Sequence, residues 1–218
     1  MALRATVIPV TPFQQNCSVI WSDVTMEGAV IDPGGDLDQV LAVVGEEGVQ
    51  LSKILLTHAH IDHAGGTHEL ASRLGLPVEG PHVDDQFWID RLPEQALMFG
   101  FEACETFTPT RWLNDGDVVQ IGPETLNVVH CPGHTPGHVV FHAPVEQLAF
   151  VGDVLFAGSI GRTDFPRGDH ATLIASITTK LWPLGSDVTF VPGHGPNSTF
   201  GRERATNPFV GDRVLSPR

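Results

Sequence analysis

At 218 residues the chain is long enough to bury one substantial core, and no proline-rich or low-complexity stretch divides it, so residues 1–218 are read as a single domain. Its 12 basic residues against 26 acidic ones give a formal charge of −14, which argues against a nucleic-acid partner because phosphate binding requires a concentrated basic surface. The apolar stretch at the start is too short for a signal peptide, no segment approaches a membrane span, and Cys17, Cys104 and Cys131 make no recognisable disulfide framework; these features predict a cytoplasmic protein with no membrane partner.

Along the chain, strand-like runs centre on Val7, Val19 and Val30. A helix is predicted where Leu37, Val40, Leu41 and Val44 recur at helical spacing, with Asp36 placed to cap its start. The apolar run 54–56 reads as a buried strand, and after the loop 57–66 a helical pattern passes through Leu70 and Leu74, followed by a short helical segment at 86–91. From Trp112 strands return at 118–121, 126–129, 139–141 and 148–151. A helix with Leu173, Ile174, Ile177 and Leu181 on one face follows, then an apolar run at 188–191. Strands then helices, twice over, predict two sheets packed face to face with helices outside, although the pattern alone specifies only mixed α and β.

The loop THAHIDHAGG (57–66) concentrates chemistry: His58, His60, Asp62 and His63 occupy six consecutive positions between a strand and a helix. In extended backbone His58 and His60 point to the same side, and the following turn brings Asp62 and His63 to a neighbouring point, a geometry for two metal ions. Three further ligand-type residues follow apolar runs at Gly-containing turns: His134 in CPGHTPGH (131–138), Asp153 in FVGDVLF (150–156) and His194 in FVPGHGP (190–196). Neutral imidazole and carboxylate are the usual ligands of catalytic zinc and iron, whereas a structural zinc recruits thiolates. His138 opens the next strand pattern and is assigned a supporting or packing role. His68, His82, His130, His142 and His170 have no ligand partner in this set, and Cys131 is read as a small buried residue.

The ordered set THxHxDH, PGHTPGH, GD and PGHG resembles the metallo-β-lactamase superfamily, specifically its glyoxalase II branch. The segments PVTPFQQNCSVIW (9–21), IDPGGD (31–36), GRTDFPRGDH (161–170) and ERATNPF (203–209) are similar to the short bacterial YcbL-type glyoxalase II. The resemblance implies an α+β fold, the αββα sandwich of two mixed sheets with helices on the outer faces. It also implies two divalent ions, zinc foremost, with iron and manganese suited by the same donors. His58, His60 and His134 would hold the first ion, Asp62, His63 and His194 the second, and Asp153 would bridge them, with Asp62 also orienting the nucleophile. The implied reaction is hydrolysis of a small anionic thioester derived from glutathione, such as S-lactoylglutathione. Two divalent ions leave such a pocket locally positive. Arg162 and Arg167 are candidates for clamping a substrate carboxylate, or else for ordering their loop by pairing with Asp164 or Asp169.

Two departures from the family pattern bear on specificity. Full-length glyoxalase II enzymes carry an additional C-terminal helical domain, whereas this chain runs only about 24 residues beyond His194, and it contains no tyrosine. Substrate recognition is therefore expected to differ. A persulfide dioxygenase using one iron on His58, His134 and Asp153 is the main competing reading. A lactonase is disfavoured by the missing tyrosine, a β-lactamase by Asp153 where many such enzymes place a cysteine, and a non-catalytic scaffold by the complete ligand set. The metal, the physiological substrate and the oligomeric state stay open at this level.

Overall fold

Alternation along the strands creates the layers. The computed structural model describes residues 2–215. A first sheet has the order β1 (Leu3–Val10), β2 (Gln15–Ser22), β3 (Glu27–Ile31), β4 (Gln50–Leu55) and β5 (Val78–Glu79). In β2 to β4, Val19, Val30 and Ile54 face one way, into a core shared with α1 (Leu37–Glu47), α2 (Ile61–Ala64) and α3 (Thr67–Leu74). Their neighbours Ile20, Ala29, Ile31 and Leu55 face the other way, into a second core, as the two-residue period of a strand requires.

The second sheet contains β6 (Val118–Ile121), β7 (Glu124–His130), β8 (Val139–Ala143) and β9 (Leu148–Gly152). A small ribbon, β10 (Leu155–Phe156) with β11 (Ser159–Ile160), lies apart from it, and β12 (Thr189–Pro192) and β13 (Ser198–Thr199) complete the sheet in the order β13-β12-β9-β8-β7-β6. Val139, Phe141, Phe150 and Val191 point into the core between the sheets. Val140, Ala149, Val151 and Phe190 point outward, against Leu173, Ile177, Leu181 and Phe200. These come from α6 (His170–Ser176), the π-helical turn 177–181 that continues it, and α7 (Phe200–Thr206). Three cores between four layers give the αββα sandwich. Phe141 is fully buried between the sheets, and Phe141→Ala there costs roughly 3–5 kcal/mol.

Two short helices, α4 (Gln86–Ile89) and α5 (Leu92–Phe99), flank the first core, and α8 (Asp212–Leu215) closes the described chain. The helix predicted through Leu37, Val40, Leu41 and Val44 forms as α1, but Asp36 does not cap it. That residue sits at φ 48° with no side-chain cap bond, and its Oδ2 instead accepts the Thr11 N–H at 2.7 Å. It ties the β1–β2 turn to the helix start. Among the described residues no helix is long and apolar enough to cross a membrane, and all three cysteines are free.

Candidate metal centre

The strands β3 and β4 run parallel, as do β9 and β12, so their C-terminal ends open toward loops, where α/β folds place their chemistry. Asp32 follows β3, His58 and His60 follow β4, Asp153 follows β9 and His194 follows β12. The β7–β8 connection carries His134.

These loops converge. One ring nitrogen each of His58, His60 and His134 lies within 4.8 Å of the others, and Asp62, His63 and His194 form a second such group. Asp153 stands between them. Its Oδ1 is 3.3 Å from His63 Nε2, and its Oδ2 is 3.6 Å from His134 Nε2 and 3.7 Å from His194 Nε2. His194 Nε2 is 3.1 Å from Asp62 Oδ2, and His60 Nδ1 is 2.9 Å from His134 Nε2. Every one of the seven motif residues is therefore at the centre. Gly193 permits the close approach of the chain leaving β12, because a Cβ there would collide with the Asp153 carboxylate.

The donor set fits a divalent cation. His58 Nε2 and His60 Nε2 are buried with no hydrogen-bond partner among the described residues, and a buried unpaired polar atom costs about 1–3 kcal/mol. A cation between such atoms supplies the missing partner, and imidazole with carboxylate suits zinc, iron or manganese.

Burial, reinforced by neighbouring rings, holds His58 and His60 well below the usual imidazole range. Burial also lowers His134, against the pull of Asp153. All three thus keep their lone pairs near neutral pH. At His63 burial opposes protonation, yet Asp153 and Asp62 outweigh it and raise the value. Burial likewise disfavours charge on Asp153, but His63 and its hydrogen bond keep this carboxyl ionised, below the usual range.

Positioning groups fix the rings. Asp32, buried, accepts the Thr57 N–H and Oγ1–H at 2.7 and 2.6 Å and faces His63 Nδ1 at 2.9 Å. The Arg162 carbonyl accepts from His134 Nδ1 at 2.7 Å, and the Phe13 carbonyl from His194 Nδ1 at 3.1 Å. Asp85 accepts from Ala59 N–H, Thr135 Oγ1–H and Gly137 N–H at 3.1, 2.8 and 2.6 Å, clamping the two ligand loops together. Gly137 is needed there, since its Cβ would lie 2.7 Å from that of Asp85. Gln95 accepts the Ile61 N–H at 3.1 Å and donates to the Trp88 carbonyl at 2.9 Å. His138 lies outside both ligand groups; its ring stacks on His58 at 4.6 Å and its Nε2 accepts the Asp153 N–H at 3.1 Å.

Sequence reasoning missed Asp32, Asp85 and Gln95. IDPGGD was a visible signal for Asp32, whereas nothing local distinguishes Asp85 or Gln95 from surface residues.

A cleft of about 880 Å³ opens over the cluster, lined by His60, Asp62, His134, Asp153 and His194 together with an apolar wall. Of the two candidate clamping arginines, Arg162 lines this cleft and Arg167 does not. Arg162 makes a two-pronged pair with Asp164 at 2.9 and 2.8 Å, and Arg167 lies over the Phe87 ring at 4.0 Å. The loop-ordering alternative thus describes Arg162, while the expected pair of arginines does not converge on the cleft.

The family model of the metallo-β-lactamase superfamily matches residues 10–194. Over 212 residues the chain is 45% identical to hydroxyacylglutathione hydrolase GloC of Haemophilus influenzae, covering 97% of this chain and all of that protein. Two crystal structures are similar: BLEG-1 B3 metallo-β-lactamase (37% identity, TM-score 0.87, 95% of this chain and 99% of that one) and TTHA1623 in a di-iron-bound form (36%, 0.85, 94% and 99%). The chain belongs to the metallo-β-lactamase superfamily, in its glyoxalase II branch. It is a metal-dependent hydrolase acting on a small molecule.

Proposed function

We propose that the protein hydrolyses a glutathione-derived acyl thioester of the S-lactoylglutathione class at a pair of divalent ions, zinc foremost. The observation that carries this reading is the position of Asp153 between two ligand groups. His58, His60 and His134 would hold one ion, Asp62, His63 and His194 the other, and Asp153 both. Divalent ions so held supply Lewis acidity and a water of lowered pKa. The chain's own residues prepare for that chemistry: burial keeps His58, His60 and His134 neutral, and Asp62, which lines the cleft, would orient the attacking water. Among the described residues no tyrosine, lysine or cysteine lines the cleft. A thioester suits this, because its leaving thiolate, with thiol pKa about 8.5, departs without a strong general acid.

The similarity to hydroxyacylglutathione hydrolase GloC at 45% identity supports the same substrate class. The similarity to a B3 metallo-β-lactamase at 37% identity favours β-lactam hydrolysis as the second reading. Metal analysis of the purified protein, paired with turnover of S-lactoylglutathione, a β-lactam and a persulfide, tests both. Two metals with thioester turnover are expected. Faster β-lactam turnover installs the second reading, and one iron with oxygen consumption replaces both with a dioxygenase.

A further inference from the structure

The wall of the cleft is aromatic and its two arginines are already engaged. The Trp88 ring lies 4.6 Å from that of His60, and Phe165 lies 4.8 Å from His60 and 5.8 Å from His134. Across the cluster Phe156 is 6.3 Å from His194. Farther out, Phe13 packs edge-on against Phe99 at 6.1 Å, next to Met98, which is 72% exposed. Arg91 is paired with Glu94 at 2.9 Å and Arg162 with Asp164 at 2.8 Å.

Glutathione is polar along its length, so it offers nothing to match such a wall. Trp88 and Phe165 pack against His60 and His134, histidines that would hold an ion, and so flank the place where a reacting carbonyl would bind. The group attached directly to that carbonyl is the acyl chain. We infer that this cleft selects thioesters with a bulky apolar, preferably aromatic, acyl group, held between the Trp88–Phe165 side and the Phe13–Phe99–Met98 side, in preference to the small lactoyl group. The inference rests on the thioester reading above and specifies its substrate class.

S-mandeloylglutathione and S-lactoylglutathione share the thiol and the α-hydroxyl and differ in phenyl against methyl. On metal-loaded protein kcat/KM should favour the mandeloyl substrate by about tenfold or more, the effect of burying several additional apolar carbons. Binding is read separately with the thioethers S-benzylglutathione and S-methylglutathione, which cannot be hydrolysed at an acyl carbon. Calorimetry should show the benzyl compound binding about tenfold tighter, with a more negative heat-capacity change. Phe13→Ala and Phe99→Ala, at residues 45% and 41% exposed, should fold normally and shrink both ratios.

Thioester turnover without a mandeloyl preference overturns the inference and leaves the thioester reading standing. A preference that neither variant changes also overturns it, because the selectivity would then lie elsewhere. Tighter benzyl binding without turnover of either thioester retains the apolar pocket and removes the thioester reading. Neither turnover nor binding removes both.

Discussion

The carboxylate of Asp32 holds the Nδ1 edge of His63 at 2.9 Å, 31 residues away in sequence. That contact leaves Nε2 turned toward Asp62 and Asp153, at 3.8 and 3.3 Å. A carboxylate behind a metal-binding imidazole fixes its tautomer and orientation and raises its basicity. Asp32→Ala should therefore weaken binding at the Asp62–His63–His194 group by about 10- to 100-fold. Titration against a chelator of known affinity, with circular dichroism to confirm folding, measures it; unchanged affinity would make Asp32 merely a support for Thr57.

Asp153 and His138 touch through the backbone and separate the ligand role from the supporting one. Asp153→Ala removes the carboxylate between the two groups and should abolish both bound metal and hydrolysis. His138→Ala removes a ring stacked on His58 and should leave most of the metal in place. Elemental analysis of both variants decides this, and equal metal loss would promote His138 to a ligand.

Asp85 is a buried acid with three donors and a carboxyl pushed up to about 7, chiefly by burial. The folded state thus holds its proton more tightly than the unfolded chain, whose value is 3.8. The contribution of Asp85 to stability falls as pH rises from about 4 to about 7 and is flat above that. Relative to wild type, Asp85→Asn should gain stability between pH 5 and pH 8 in urea midpoints. A gap that stays constant across that range would mean that the three hydrogen bonds keep Asp85 ionised. Asp85→Ala strands those donors and should cost several times the 1–3 kcal/mol of one unsatisfied buried group.

Arg162 and Asp164 form an exposed pair, with side chains 68% and 66% accessible, so breaking it should change stability little. The pair restrains Arg162 at the cleft rim. Asp164→Ala should free the guanidinium for an anionic thioester and lower KM, with the gain eroding as salt increases. Arg162→Ala should raise KM more than it lowers kcat, whereas Arg167→Ala should not, because Arg167 lies over Phe87 outside the cleft. Steady-state kinetics across a salt series distinguish the three.

What the sequence determined by itself was the periodic and the local. Apolar runs around Val19, Val30 and 54–56 mark strands, and helical spacing at Leu173, Ile174, Ile177 and Leu181 marks a helix. His58, His60, Asp62 and His63 announce themselves because metal binding draws unusual residues into one loop. His134, Asp153 and His194 are legible by the same chemistry, each on a Gly-containing turn after a strand. The tertiary structure alone decided what those residues lean on. Asp36 had the composition of a cap, but Thr11, 25 residues earlier, took its carboxylate. Asp85 reaches Gly137 across 52 residues and Gln95 reaches Ile61 across 34, and a lone Asp or Gln carries no periodic mark of its partner. The apolar cleft is equally hidden, since Phe13, Trp88, Phe156 and Phe165 come from four separate segments and resemble ordinary core residues until the fold sets them around the histidines. Hydrogen-bond partners and cavity walls are properties of neighbours in space, and only chain folding selects those neighbours.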